Sequence, residues 1–178
     1  MKKIMEAPVT SCIIGINTIV LVLGLFLPME YMFGMYRGAL IEAPYRAVTS
    51  GFVHFTVLHY VFNMCALYDI GSYMEQSLGR GKYTFLYFVS LIGSSLCINF
   101  LATPNSLHAG ASGALFGLLA AAIVYKVKTS RVVPYSLVMW LVINIIISFD
   151  LHVSWQGHFG GGIAGALIAY CIVRNESK

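Results

Sequence analysis

The sequence predicts an all-α membrane protein: a bundle of six transmembrane helices with a short central fourth helix that starts at membrane depth. Three observations carry this. Hydrophobic residues make up 58% of the 178 and charged residues 10%, against about 25% charged in a soluble globular domain. The mean hydropathy is +0.79. The basic residues fall into alternate gaps between apolar stretches. This composition excludes a water-soluble enzyme. It also excludes nucleic acid as a partner, because 11 Lys and Arg in so apolar a chain flank spans rather than line a groove for phosphates.

A spanning helix needs about 20 apolar residues, and six stretches approach that length within a single domain, 1–178. The first, 9–27, follows Lys2 and Lys3 and ends at Pro28 with no small-residue cleavage site, so it reads as a span and not a cleavable leader. The second and third are 55–73 and 83–101. The fourth, 112–125, is short; the fifth is 132–149 and the sixth 157–173. Nine of the 11 Lys and Arg then lie on one side, leaving Arg37 and Arg46 on the other. By the positive-inside rule both termini are cytoplasmic, and the outer connections are 28–54, 102–111 and 150–156. The first of these carries Tyr31, Met32, Phe33, Met35 and Tyr36, which suits the lipid interface. Cys12, Cys65, Cys97 and Cys171 are scattered with no CxxC pair, so neither metal nor cofactor is expected.

Ionisable and strongly polar side chains at membrane depth are costly and mark function by default. Counting about 1.5 Å per residue from each span's cytoplasmic charge, Ser112 lies roughly 21 Å above Lys126, Asn63 roughly 26 Å above Arg80, and His158 roughly 24 Å above Arg174. All three fall in the outer half of a hydrocarbon core about 30 Å thick. His59 is one turn above Asn63 on the same helix face. Ser112 opens the fourth helix after the small-residue run His108-Ala109-Gly110-Ala111. Free N–H groups at a helix N-terminus offer an oxyanion site, and a nearby histidine can activate a serine. Gly113 and Gly117 on the fourth helix, and Gly161 and Gly165 below His158 on the sixth, allow close backbone approach. Gly-x-Ser-Gly alone is a weak signal, since both residues are common in membrane helices for packing. The shared depth of four polar side chains is what points to chemistry. His54, His108 and His152 lie near the outer surface in structural settings, and Glu75 and Asp69 near the cytoplasmic end of the second span.

These residues resemble the rhomboid family of intramembrane serine proteases over about residues 45–170. The second-span pattern His54-x4-His59-x3-Asn63, the segment Gly110-Ala111-Ser112-Gly113-Ala114-Leu115-Phe116-Gly117 and the segment His158-Phe159-Gly160-Gly161-x3-Gly165 carry the resemblance. It implies Ser112 as nucleophile and His158 as general base, with no carboxylate completing a triad. It also implies an oxyanion pocket of His59, Asn63 and the Ser112 backbone N–H, with Gly110 keeping the preceding loop compact. Phe116 matches the aromatic position that packs beneath the histidine ring. Tyr45-Arg46 stands where the family usually has Trp-Arg, and Gly157 where Ala is common. The implied partners are transmembrane protein substrates and membrane lipid. The implied setting is a bacterial cytoplasmic membrane, with the site open to the extracytoplasmic side. Two other readings stay open: a rhomboid-like pseudoprotease that binds membrane clients without cutting them, and a small transporter. The intact Ser112, His158, His59 and Asn63 weigh against the first. The confinement of the polar layer to the outer half weighs against the second.

Overall fold

The computed structural model describes residues 7–150 and 154–176. Lys2, Lys3, His152 and Lys178 lie outside the described residues. Helices α1 (Pro8–Gly24), α2 (Met29–Phe33), α3 (Ala39–Glu42) and α4 (Arg46–Thr49) are followed by a 3-10 turn, Ser50–Phe52. A continuous but irregular helix follows, made of α5 (Val57–Ala66), a π turn Leu67–Gly71 and α6 (Ser72–Leu78). Then come α7 (Arg80–Leu101), α8 (Ser112–Ser130), α9 (Tyr135–Asp150) and α10 (Trp155–Glu176).

Among the described residues, three helices are each long and apolar enough to cross a membrane: Arg80–Leu101, Ser112–Ser130 and Trp155–Arg174. Val57–Leu78 joins a fourth candidate, bent by 97° from Arg46–Phe52. Pro8–Gly24 and Tyr135–Asn144 are shorter apolar helices. The 17 residues of α1 measure about 25 Å at the helical rise. The long helices lie within a few residues of the apolar stretches at most ends, but the helix that ends with α6 runs past its expected end at Tyr73, to Leu78. The fourth helix continues past the expected end at Tyr125 for a total of 19 residues. Lys126 and Lys128 end the apolar stretch but are good helix formers, so the helix runs on beyond it.

α8 is the centre of the bundle, with every residue from Gly113 to Ala122 buried. It packs on α7 and α10, which also pack on each other. Glycine makes this possible. A Cβ on Gly161 or Gly165 would run into the backbone of Gly113 or Gly117, and one on Gly113 or Gly117 into Ser94 or Ser90 of α7. The three backbones thus meet along one seam of small residues, which replaces a hydrophobic driving force with close packing. α9 touches α8 and α10 only sparsely by comparison. Gly79, at φ 78°, makes the entire turn between α6 and α7, a left-handed conformation that glycine alone adopts freely.

The first helix is tied in by a carboxylate. Glu75 of α6, 2% exposed, accepts Val9 N at 3.0 Å, Thr10 N at 2.8 Å and Thr10 Oγ1 at 2.8 Å. Those amides open α1 and have no acceptor within it, so Glu75 caps α1 from a different helix. Glu75→Gln retains the shape but presents one acceptor instead of two. Given about 1.5–3 kcal/mol for hydrogen bonds to a charged group, a loss of about 2 kcal/mol is expected. Thermal denaturation in detergent checks it, and an unchanged midpoint would show the cap to be dispensable.

Candidate active site

Ser112 is the first residue of α8, so its N–H has no partner inside the helix. His158 lies in the first turn of α10, and its Nε2 sits 3.0 Å from Ser112 Oγ. The two side chains are 46 residues apart in sequence and meet because Gly161 lies against Gly113 one turn further along the seam. The His158 ring is stacked on Phe116, with centroids 4.0 Å apart and planes 8° from parallel. Phe116 is one turn below Ser112 on the same helix, so α8 supplies both the hydroxyl and the surface that orients the imidazole.

Asn63 and His59 lie on α5. Thr56 Oγ1 accepts the backbone N–H of His59 at 3.1 Å and so fixes where α5 begins. Asn63 is 6% exposed, and its Nδ2 is buried without a hydrogen-bond partner. A buried amide donor left unmade costs about 1–3 kcal/mol, which suits a donor reserved for a ligand. Gly110 adopts φ 130° and donates its N–H to Ser50 O at 2.9 Å. A Cβ there would sit 2.7 Å from His59 Cε1 and 3.6 Å from Asn63 Nδ2. Gly110 therefore lets the loop before Ser112 close onto both side chains. His54, 8% exposed, meets His59 edge to face with centroids 5.0 Å apart, and Tyr60 at 5.6 Å. It fills space behind His59.

Arg46 stands away from this cluster. It donates to Gly34 O at 2.5 Å and Tyr31 O at 2.9 Å, with its guanidinium 5.2 Å above the Tyr36 ring and 5.8 Å above Tyr45. It clasps the loop between α1 and α5, whose Met35 exchanges two backbone hydrogen bonds of 2.7 Å with His108. Burial pushes the His108 imidazole below the usual histidine range, so the ring is neutral near pH 7, and its Nε2 lies 2.8 Å from Ser106 Oγ.

Sequence reading missed part of the site. Ser50, Ser94 and Ser154, none of them singled out from the sequence, join Gly157 in lining a small cleft beside Ser112 and His158. The stripe Ser90, Gly93, Ser94, Cys97 on α7 was the available signal, since its spacing of three and four matches a helix face. The cleft offers about 20 Å³ to the centre of a water molecule, enough for about one water by the usual threshold of about 10–15 Å³. No carboxylate lines it among the described residues, and among those residues no group of three His, Cys, Asp or Glu could hold a metal.

The Rhomboid domain family matches residues 42–175. The chain belongs to the rhomboid family. It is 30% identical over 165 residues to RHOMBOID-like protein 5 of Arabidopsis thaliana, covering 86% of this chain and 52% of that protein. It is 29% identical over 144 residues to rhomboid protease GluP of Bacillus subtilis, covering 77% and 28%. It is 28% identical over 177 residues to rhomboid protease GlpG of Yersinia pestis, covering 93% and 61%. The chain thus spans between about a quarter and three-fifths of the length of these curated relatives.

Proposed function

We propose that this rhomboid protein is an intramembrane serine endopeptidase that cuts transmembrane segments of other membrane proteins with a Ser112–His158 dyad. The observation that carries the reading is the 3.0 Å approach of His158 Nε2 to Ser112 Oγ at the start of a buried helix. Similarity to relatives named as rhomboid proteases supports it.

With the imidazole proton on Nδ1, Nε2 accepts the Ser112 proton as Oγ attacks the substrate carbonyl carbon. The donors that would meet the negative charge developing on the carbonyl oxygen are Asn63 Nδ2, the His59 ring and the Ser112 N–H. His158 returns the proton to the departing amine, which leaves an ester on Ser112. Water then attacks that ester, giving its proton to Nε2, and the ester bond breaks to restore the serine hydroxyl and release an acid. The shared depth of these groups and the distribution of Lys and Arg support a six-span protein with cytoplasmic termini and a site open to the outer face. A helical substrate must expose its peptide bond to reach Ser112, because an intact helix hides its carbonyls in its own hydrogen bonds.

A fluorophosphonate probe should label the purified protein, and Ser112→Ala should lose the label. Cleavage of single-span test substrates should map near the outer end of the span. A protein that binds such substrates but neither reacts nor cuts would be a non-proteolytic client binder. Asn63→Ala and His59→Ala should each retain labelling while turnover falls by about 10²–10³ for a lost oxyanion donor. Wild-type turnover in both variants would remove them from the oxyanion pocket.

A further inference from the structure

We propose that the groove between the second span and α9 binds a zwitterionic aminophospholipid, its ammonium on Asp69 and its phosphate on Lys126. Two contiguous cavities form this groove and share Asp69, Ile70 and Leu137. The inner one, about 200 Å³, is lined by Ala66, Leu115, Leu119 and Trp140 and is apolar apart from Asp69 at its edge. The outer one, about 300 Å³, carries Asp69, Tyr73, Lys126 and Ser136 at the Lys-rich end of the bundle.

The charges select the occupant. Asp69 is exposed on the π turn, where the extra residue per turn alters the helix register, and its carboxylate makes no ion pair or hydrogen bond among the described residues. Lys126 lies in the same mouth but engages the Tyr73 ring, 5.5 Å from its centroid. An anion and a cation that share a cavity without pairing leave room for a ligand carrying both signs. Ionisable groups bordering a bilayer are costly unless compensated, and a headgroup supplies the compensation. The apolar inner cavity continues from that mouth, as an acyl chain continues from its headgroup. A helix is about 10–12 Å across and does not fit an inner cavity of about 200 Å³, which favours a lipid over a substrate span.

This site is separate from the Ser112 cleft, and its test needs no protease activity. Native mass spectrometry of the full chain in detergent, titrated with phosphatidylethanolamine, phosphatidylcholine and phosphatidylglycerol of matched chains, reads the preference directly. Wild type should retain the ethanolamine lipid over phosphatidylglycerol by roughly fivefold, the equivalent of about 1 kcal/mol for the one ammonium charge near the surface, and over phosphatidylcholine because only a primary ammonium donates hydrogen bonds to Asp69. Asp69→Asn should lose the preference over phosphatidylglycerol, and Lys126→Gln should weaken all three lipids alike. Lipid-free melting midpoints equal to wild type would show both variants folded. Equal retention of the three lipids by wild type, or an ethanolamine preference that survives Asp69→Asn, overturns the proposal. So does a photocrosslinker at Leu137 that captures a transmembrane peptide in preference to lipid.

Discussion

Ser112→Ala and His158→Ala are each expected to abolish proteolysis while leaving a folded bundle. In soluble serine proteases, loss of either the nucleophile or the base costs about 10⁶-fold in turnover, and loss of both costs little more. The two groups act on one proton, so the double variant should match the singles. Ser112→Ala removes one oxygen from a side chain at the edge of a water-sized cleft, and the seam of glycines behind it is untouched. His158→Ala takes away the ring stacked on Phe116, so it carries a packing loss as well. His158→Asn, smaller but polar, separates chemistry from packing: it should be as inactive as His158→Ala with a smaller drop in melting midpoint. The base must be neutral to accept the serine proton, so wild-type rate should fall as pH drops through the titration of His158. Cleavage by purified Ser112→Ala above background would sink the dyad.

The site was legible in the sequence because depth in a membrane can be counted. Ser112, Asn63 and His158 share a layer when measured from Lys126, Arg80 and Arg174, and the structure brings Ser112 and His158 to hydrogen-bond distance. Gly161 and Gly165 were legible as a close-packing face. What they close upon was only half legible, because Ser90 and Ser94 of α7 complete the seam. Serine in an apolar helix gives no periodic hydrophobic signal. The π turn Leu67–Gly71 left no mark either. Register shifts of one residue come from tertiary packing, and no proline lies in that helix to announce a break. The helices between α1 and α5 left no mark in the sequence because α2, α3 and α4 have 5, 4 and 4 residues, too few to show a period. The Glu75 cap joins residues 65 apart, a long-range pairing that no local pattern records.

The seam makes a second large effect predictable. Gly161→Ala is expected to lower activity far more than it lowers stability. The added methyl meets the Gly113 carbonyl oxygen and carbon, which are backbone and cannot rotate aside, so α8 and α10 must separate locally. Overpacking of this kind costs about 1–3 kcal/mol, tolerable for a bundle with many other contacts. The strain falls at the worst place for catalysis. Gly113 follows Ser112 directly, and Gly161 is one turn from His158, so the separation widens the 3.0 Å approach itself. A misplacement of about 1 Å in a reacting pair costs about 10²-fold. Gly162→Ala is the control: its Cβ would have only Phe116 O within reach, at 4.0 Å, and both rate and melting midpoint should stay near wild type. Turnover on a transmembrane substrate and thermal denaturation, measured on both variants, decide the matter. If Gly161→Ala loses stability and rate in proportion, or if Gly162→Ala loses as much, the seam does not set the distance between His158 and Ser112.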